Sequence, residues 1–130
     1  MDCPVCKSAM ITMEFNEVEI DCCTSCDGIW LDAGELEMLL DGGGKSRELI
    51  ASFQKAQTRE AVRKCPICDR KMEKVAVGEG APALMIDRCA RGDGLWFDKG
   101  ELGNIIDRAK LDEGDKIKKV LTEMFRHKAG

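Results

Sequence analysis

Asp27-Gly28-Ile29-Trp30-Leu31-Asp32-Ala33-Gly34-Glu35-Leu36 returns later in the chain as Asp93-Gly94-Leu95-Trp96-Phe97-Asp98-Lys99-Gly100-Glu101-Leu102. Working outward, Cys3-Pro4-Val5-Cys6 matches Cys65-Pro66-Ile67-Cys68, and Ile20-Asp21-Cys22-Cys23 matches Ile86-Asp87-Arg88-Cys89. The chain is therefore two copies of one unit, Cys3 to Leu39 and Cys65 to Ile106. The offset between copies is 62 at the first cysteine pair and 66 at the second. The four extra residues are assigned to the turn at Gly78-Glu79-Gly80-Ala81-Pro82, because insertions are tolerated in turns.

Each unit reads as a cysteine knuckle, a strand, a turn, a strand, a second knuckle, a short strand and a helix. Met10–Phe15 and Val18–Cys22 alternate apolar and polar residues in places, as a half-buried hairpin does. Asp32 and Asp98 each precede a glutamate by three positions, Glu35 and Glu101. The aspartate is expected to cap a free amide while the glutamate reaches back. Gly42-Gly43-Gly44 stops the first helix and forms a joint. Leu49, Ile50, Phe53, Ala56, Ala61 and Val62 then predict an amphipathic helix over 46–63. Ile117, Val120, Leu121, Met124 and Phe125 predict a second one in the basic tail. The expected fold class is small α+β: tandem units of short antiparallel hairpins with knuckles, each followed by helices. Their bounds are 1–41 for the first unit, 42–64 for the hinge and linker helix, 65–110 for the second unit and 111–130 for the C-terminal helix.

The 130 residues contain 5% aromatic residues and no tyrosine, which is thin material for a core. A unit of about 40 residues needs a metal, disulfides or a partner to stay folded. Eight cysteines supply the means. The chain opens Met1-Asp2-Cys3 without a basic segment followed by an apolar run, so no export signal is read and a reducing, cytoplasmic setting is expected. No apolar run approaches the ~20 residues that cross a bilayer, so no membrane partner is expected. The net charge of −4 counts against a general nucleic-acid binder, although the charge is uneven. Residues 1–44 carry one basic side chain, Lys7, against ten acidic ones, whereas 45–64 and 108–130 are net basic.

Two C-x-x-C turns brought together by a hairpin close a tetrahedral thiolate shell, which is what zinc prefers. Cys3, Cys6, Cys23 and Cys26 have that spacing, and a shell filled by four protein ligands is structural. The second unit offers Cys65, Cys68 and Cys89 but has Gly92 where Cys26 stands. Its fourth position is open to Asp93, one residue on, to His127, the single histidine, or to water, or the site holds no metal. With no other histidine to act as a base, the chain is expected not to be an enzyme. Cys22, adjacent to a ligand in a strand, is expected to face away from the metal as a small buried residue rather than a reactive thiol. Trp30 and Trp96 are expected to pin the capped helix to the rest of the unit; exposed, they would be partner anchors.

Cys3-Pro4-x-Cys6 followed by Asp21-x-Cys23-x-x-Cys26-x-Gly28-Ile29-Trp30-Leu31-Asp32-x-Gly34-Glu35-Leu36 resembles the transcription factor IIB-type zinc-ribbon family of small, mostly bacterial proteins. The resemblance covers both repeats, about two thirds of the chain, and departs from the pattern at Gly92. It implies a zinc ribbon with the cysteines as ligands and no particular activity, since fold does not fix function. The leading expectation is a non-enzymatic zinc-binding module that docks a protein partner in a regulatory or adaptor role. The alternatives are nucleic-acid binding through Lys45, Arg47, Lys55, Arg59, Arg63, Lys64 and the terminal helix, and zinc buffering or thiol chemistry at the incomplete second site. The amphipathic helices are also expected to cover their own ribbons, or to pack on each other within the chain or in a dimer.

Overall fold

A computed structural model describes residues 1–15, 18–39, 51–56, 62–77 and 84–109. The first repeat forms β1 (Ile11–Phe15), β2 (Val18–Cys22), β3 (Ile29–Asp32) and α1 (Glu35–Leu39). A two-residue strand, β4 (Gln54–Lys55), precedes the second repeat, which forms β5 (Glu73–Val77), β6 (Leu84–Arg88), β7 (Gly94–Phe97) and α2 (Glu101–Ala109). Among the described residues the fold is dominated by antiparallel sheet with two short helices, which matches the expected zinc-ribbon architecture in outline.

The repeats do not stand as separate beads. Their strands make one seven-stranded sheet in the order β1-β2-β3-β7-β6-β5-β4, and every neighbouring pair is antiparallel. The third strands meet at its centre, pairing Ile29 with Phe97, Trp30 with Trp96, Leu31 with Leu95 and Asp32 with Gly94. Each repeat alone has a three-stranded sheet; joined, both third strands become interior strands whose backbone groups pair on either side. The hairpins keep equivalent registers, Phe15 opposite Val18 and Val77 opposite Leu84. The four inserted residues therefore lie between Val77 and Leu84, as their spacing in the sequence suggests.

Strand alternation sorts the side chains into two faces. On one face Val18, Ile20, Cys22, Ile29, Leu31, Val75, Val77, Ile86 and Phe97 form a buried core with Leu36, Leu39, Leu102 and Ile105 of the helices. The helices supply this face through an i, i+3 pair each, the least that puts two apolar side chains on one stripe. On the opposite face Cys3, Cys23, Trp30, Cys65, Met72, Cys89 and Trp96 form a second buried cluster.

The structure departs from the sequence reading in three places. Within the segment expected as a helix over 46–63, Gln54–Lys55 is a strand, held on β5 by the pairs Gln54–Ala76 and Lys55–Val75 and by the Ala56 amide donating to the Lys74 carbonyl at 2.9 Å. An exposed sheet edge outweighs helical spacing because it offers ready-made backbone partners. The tryptophans do not pin helix to ribbon. They occupy the face opposite the helices, and Leu31 and Phe97 beside them carry the helix contacts. The aspartates cap differently too. Glu35 Oε1 accepts from the Asp32 amide at 2.7 Å and Glu101 Oε1 from the Asp98 amide at 2.6 Å, as expected. The aspartate carboxylates instead accept the indole N–H of Trp30 at 2.7 Å and of Trp96 at 3.0 Å. Burial of an indole N–H calls for such an acceptor. The C-terminal helix expected over 111–130 lies outside the described residues.

Candidate metal centres

Three of the four knuckles are built alike. After each C-x-x-C the next residue turns to positive φ: Lys7 at 64°, Asp27 at 62° and Asp69 at 61°. Its amide donates back to the first cysteine's carbonyl, Lys7 to Cys3 at 3.0 Å, Asp27 to Cys23 at 2.9 Å and Asp69 to Cys65 at 2.8 Å. The chain then returns, and the first cysteine's amide donates to the residue five positions on. Free amides within these turns point at sulfur. Those of Val5 and Cys6 lie 3.3 and 3.4 Å from Cys3 Sγ, and that of Ile67 lies 3.4 Å from Cys65 Sγ. Such donors stabilise a thiolate and orient it.

The first centre brings Cys3, Cys6, Cys23 and Cys26 within 4.8 Å of one another, with Cys3 and Cys26 sulfurs 3.6 Å apart and Cys6 and Cys23 sulfurs 3.2 Å apart. No pair is bonded; all eight cysteines are free thiols. A zinc ion with Zn–S bonds of about 2.3 Å has tetrahedral edges of about 3.8 Å. The four sulfurs therefore already outline a zinc shell.

The fourth knuckle is different, and the difference supplies the missing ligand. Gly92 takes the positive φ, 83°, one residue earlier than in the other knuckles, and its amide closes a tighter turn on the Cys89 carbonyl at 3.0 Å. A side chain at 92 would meet open space rather than the cluster. Asp93, whose carboxylate reaches one atom further than a thiol, turns inward instead. Its Oδ2 lies 3.5 Å from Cys65 Sγ and 3.4 Å from Cys89 Sγ, while Cys68 and Cys89 sulfurs are 3.7 Å apart. With Zn–O near 2.0 Å and Zn–S near 2.3 Å, the S···O edge of a tetrahedron is about 3.5 Å. Cys65, Cys68, Cys89 and Asp93 thus form a second donor set of zinc geometry. Of the two protein candidates for the open position, Asp93 is at the site and His127 lies outside the described residues. Asp27, the counterpart of Asp93, faces Lys99 of the other repeat at 3.8 Å.

The thiols' electrostatics call for a cation. Burial raises the pKa of Cys3 and Cys26 and pushes that of Cys65 up to about 12. Cys6, at the surface, is lowered to about 6 by hydrogen bonding with the Cys23 thiol and the Ser8 backbone. Hydrogen bonding from Cys68, and then from Cys89, holds the Asp93 carboxyl below its usual range. Buried sulfurs this close do not ionise together without a positive charge among them. A bound zinc would supply that charge, with Cys3, Cys6, Cys23 and Cys26 at the first centre and Cys65, Cys68, Cys89 and Asp93 at the second holding it as deprotonated ligands. Both donor sets fit Zn2+, and the chain has two zinc sites.

Cys22 faces the other way. It is fully buried in the helix-side core, and burial raises its pKa to about 11, with the Asp21 charge adding to the effect. It is the inert apolar residue the strand alternation suggests, not a nucleophile.

Three features of the site were not read from the sequence. One is the glycine before each tryptophan triplet: a Cβ on Gly28 would overlap the Trp96 indole, and one on Gly94 would overlap the Trp30 indole and the Leu31 carbonyl. The second is the use of Asp32 and Asp98 as indole acceptors. The third is the Asp21–Thr12 and Asp87–Lys74 pairs, which put a buried carboxylate beside each tryptophan. The repeated Asp-Gly-x-Trp-x-Asp was the available signal for the first two.

Among the described residues no helix is long and apolar enough to cross a membrane. The family model described as "Transcription factor zinc-finger" matches residues 2–42 and 64–108. No curated protein and no solved structure matches the chain. The two matched segments coincide with the two ribbons and contain all eight metal-facing side chains, and the chain belongs to this TFIIB-type zinc-ribbon family as a tandem member.

Proposed function

We propose that the protein is a non-enzymatic zinc-binding module that docks a protein partner, in a regulatory or adaptor role, by accepting an extended segment along β1. The observation that carries this reading is the inequality of the two sheet edges. β5 is covered by β4, whereas among the described residues the outer edge of its counterpart β1 has no paired strand. An uncovered edge is a template for strand addition. The β1 edge also has a chemical character: Ile11 is 47% exposed, and Glu14 and Glu19 stand exposed opposite each other. An occupant with basic residues alternating with apolar ones fits it.

Nucleic-acid binding is less well supported. Of the basic residues considered for phosphate, Lys45, Arg47 and Arg59 lie outside the described residues, Lys55 is paired with Glu73 at 3.2 Å, and Arg63 is half-buried with its Nε shielded from solvent. Between the two first knuckles runs a groove where Lys7 and Lys64 are balanced by Asp2 and Asp69. Neither surface is a basic stripe.

The reading is tested by titrating the zinc-loaded protein with a synthetic peptide of alternating valine and lysine while following backbone amides by NMR. Shifts confined to Ile11–Phe15 and β2, and absent in a Glu14→Lys, Glu19→Lys double variant, support docking at β1. Shifts elsewhere, or salt-sensitive binding of duplex DNA or RNA with none at β1, contradict it.

A further inference from the structure

We propose that the two zinc sites are functionally unequal: the Cys3-Cys6-Cys23-Cys26 site keeps its metal, and the Cys65-Cys68-Cys89-Asp93 site exchanges it, making the second ribbon a zinc-responsive element. This rests on the two donor sets and stands whether or not β1 docks a partner.

Two independent features point this way. The first is ligand chemistry. Zinc binds a soft thiolate more strongly than a hard, well-hydrated carboxylate, so replacing one of four sulfurs by oxygen weakens the shell and gives water a competitor's place at the fourth position. The second is support. In the first centre both knuckles close with the same wide turn and the fourth ligand, Cys26, lies inside it. In the second centre the last turn closes one residue earlier, at Gly92, so Asp93 lies outside that tight turn and only the wider bond from the Cys89 amide to the Gly94 carbonyl, 3.0 Å, encloses it. A ligand outside the tight turn leaves the metal without breaking the Gly92–Cys89 hydrogen bond that closes it.

Exchange at this site has a path to the rest of the molecule. The Asp93 carbonyl accepts the Ala33 amide at 3.0 Å, and Gly94 pairs with Asp32. The Asp93 turn is thus hydrogen-bonded to the residues that lead into α1 of the first ribbon. Zinc occupancy at the second centre therefore bears on the junction of the two ribbons as well as on its own knuckles.

The test is zinc release from the fully loaded protein into excess chromophoric chelator, with Co2+ substitution as an independent readout. The expected result is two phases of one zinc each, the fast one separated from the slow one by at least the roughly 10- to 100-fold that loss of a mere outer partner costs a zinc site. Asp93→Ala should accelerate or abolish the fast phase only. Cys26→Asp should accelerate the slow phase. In the wild type, Co2+ should leave first from the site with the weaker sulfur-to-metal absorption, since that site has three thiolates rather than four. This last arm needs no variant and decides the matter even if a substitution prevents folding. Release of both zincs in one slow phase overturns the proposal. So does a fast phase unmoved by Asp93→Ala but altered by His127→Ala, which would place the ligand elsewhere.

Discussion

Trp30 and Trp96 face each other across the central strand pair, fully buried, and each indole lies over the glycine of the other repeat, Trp96 over Gly28 and Trp30 over Gly94. This reciprocal contact makes one body of two ribbons, since neither indole has a place to lie without the neighbouring repeat's missing side chain. Each indole N–H is in turn held by the aspartate two residues on, whose own amide binds the first glutamate of the helix. The metal-side packing and the helix starts are linked through a single residue on each side.

The two glycines make different predictions. Gly28→Ala should destabilise the protein by roughly 1–3 kcal/mol through overlap with the Trp96 ring, as overpacking does. Trp96→Phe removes the part of the ring that is struck, so the double variant should lose less than the sum of the singles, with a coupling on the order of 1 kcal/mol. Gly94→Ala should not be relieved by Trp30→Phe, because the added carbon also meets the Leu31 carbonyl of the backbone. Denaturant unfolding of the wild type and the six variants at fixed excess zinc reads both cycles; equal rescue at both glycines would contradict this packing.

Cys22 should be invisible to thiol reagents. With zinc protecting the ligand cysteines, iodoacetamide at pH 8 should leave Cys22 unmodified until the protein unfolds globally, since the thiol is buried and its pKa lies near 11. Peptide mapping by mass spectrometry checks this, and labelling of Cys22 at the rate of an accessible thiol would show that the helix-side core is open.

The Glu73 cluster sets a pH dependence. Burial acts to raise its pKa, but Arg88, 2.9 Å away, and Lys55, 3.2 Å away, outweigh it and hold the carboxyl below its usual value. A depressed folded-state pKa contributes stability that is present above the unfolded value, near 4.3, and lost as pH falls through the folded one. Glu73→Gln should therefore cost up to about 1 kcal/mol at pH 7, less in high salt, because the pairs are partly exposed. The difference from wild type should close as the pH falls below about 4. Any loss of zinc in acid is common to both proteins, so the comparison isolates the carboxylate; a difference that grows in acid would refute the assignment.

The parts of the molecule set by local chemistry were legible in the sequence. The knuckles, hairpins and glutamates reaching back to helix starts depend on residues a few positions apart, and the repeat showed each of them twice. The union of the ribbons was not legible, because the Trp30–Trp96 pairing joins residues 66 apart through backbone contacts that any strand could make. β4 was missed for a related reason: Phe53, Ala56 and Val62 fit a helical stripe, while the partner that makes Gln54–Lys55 a strand lies on β5. At the second centre the sequence showed the lost cysteine and left Asp93, His127 and water open. What selects Asp93 is the positive φ at Gly92, a backbone property that the residue type permits and does not dictate.

The central claim is that this chain holds two zinc ions in two protein-filled shells, the second completed by Asp93. It is tested most directly by elemental analysis of protein purified without chelator, as wild type and as Asp93→Ala. The account predicts two zincs per chain in the wild type, falling towards one in the variant while the first ribbon stays loaded. One zinc per chain in the wild type, or two that are indifferent to Asp93, would contradict it.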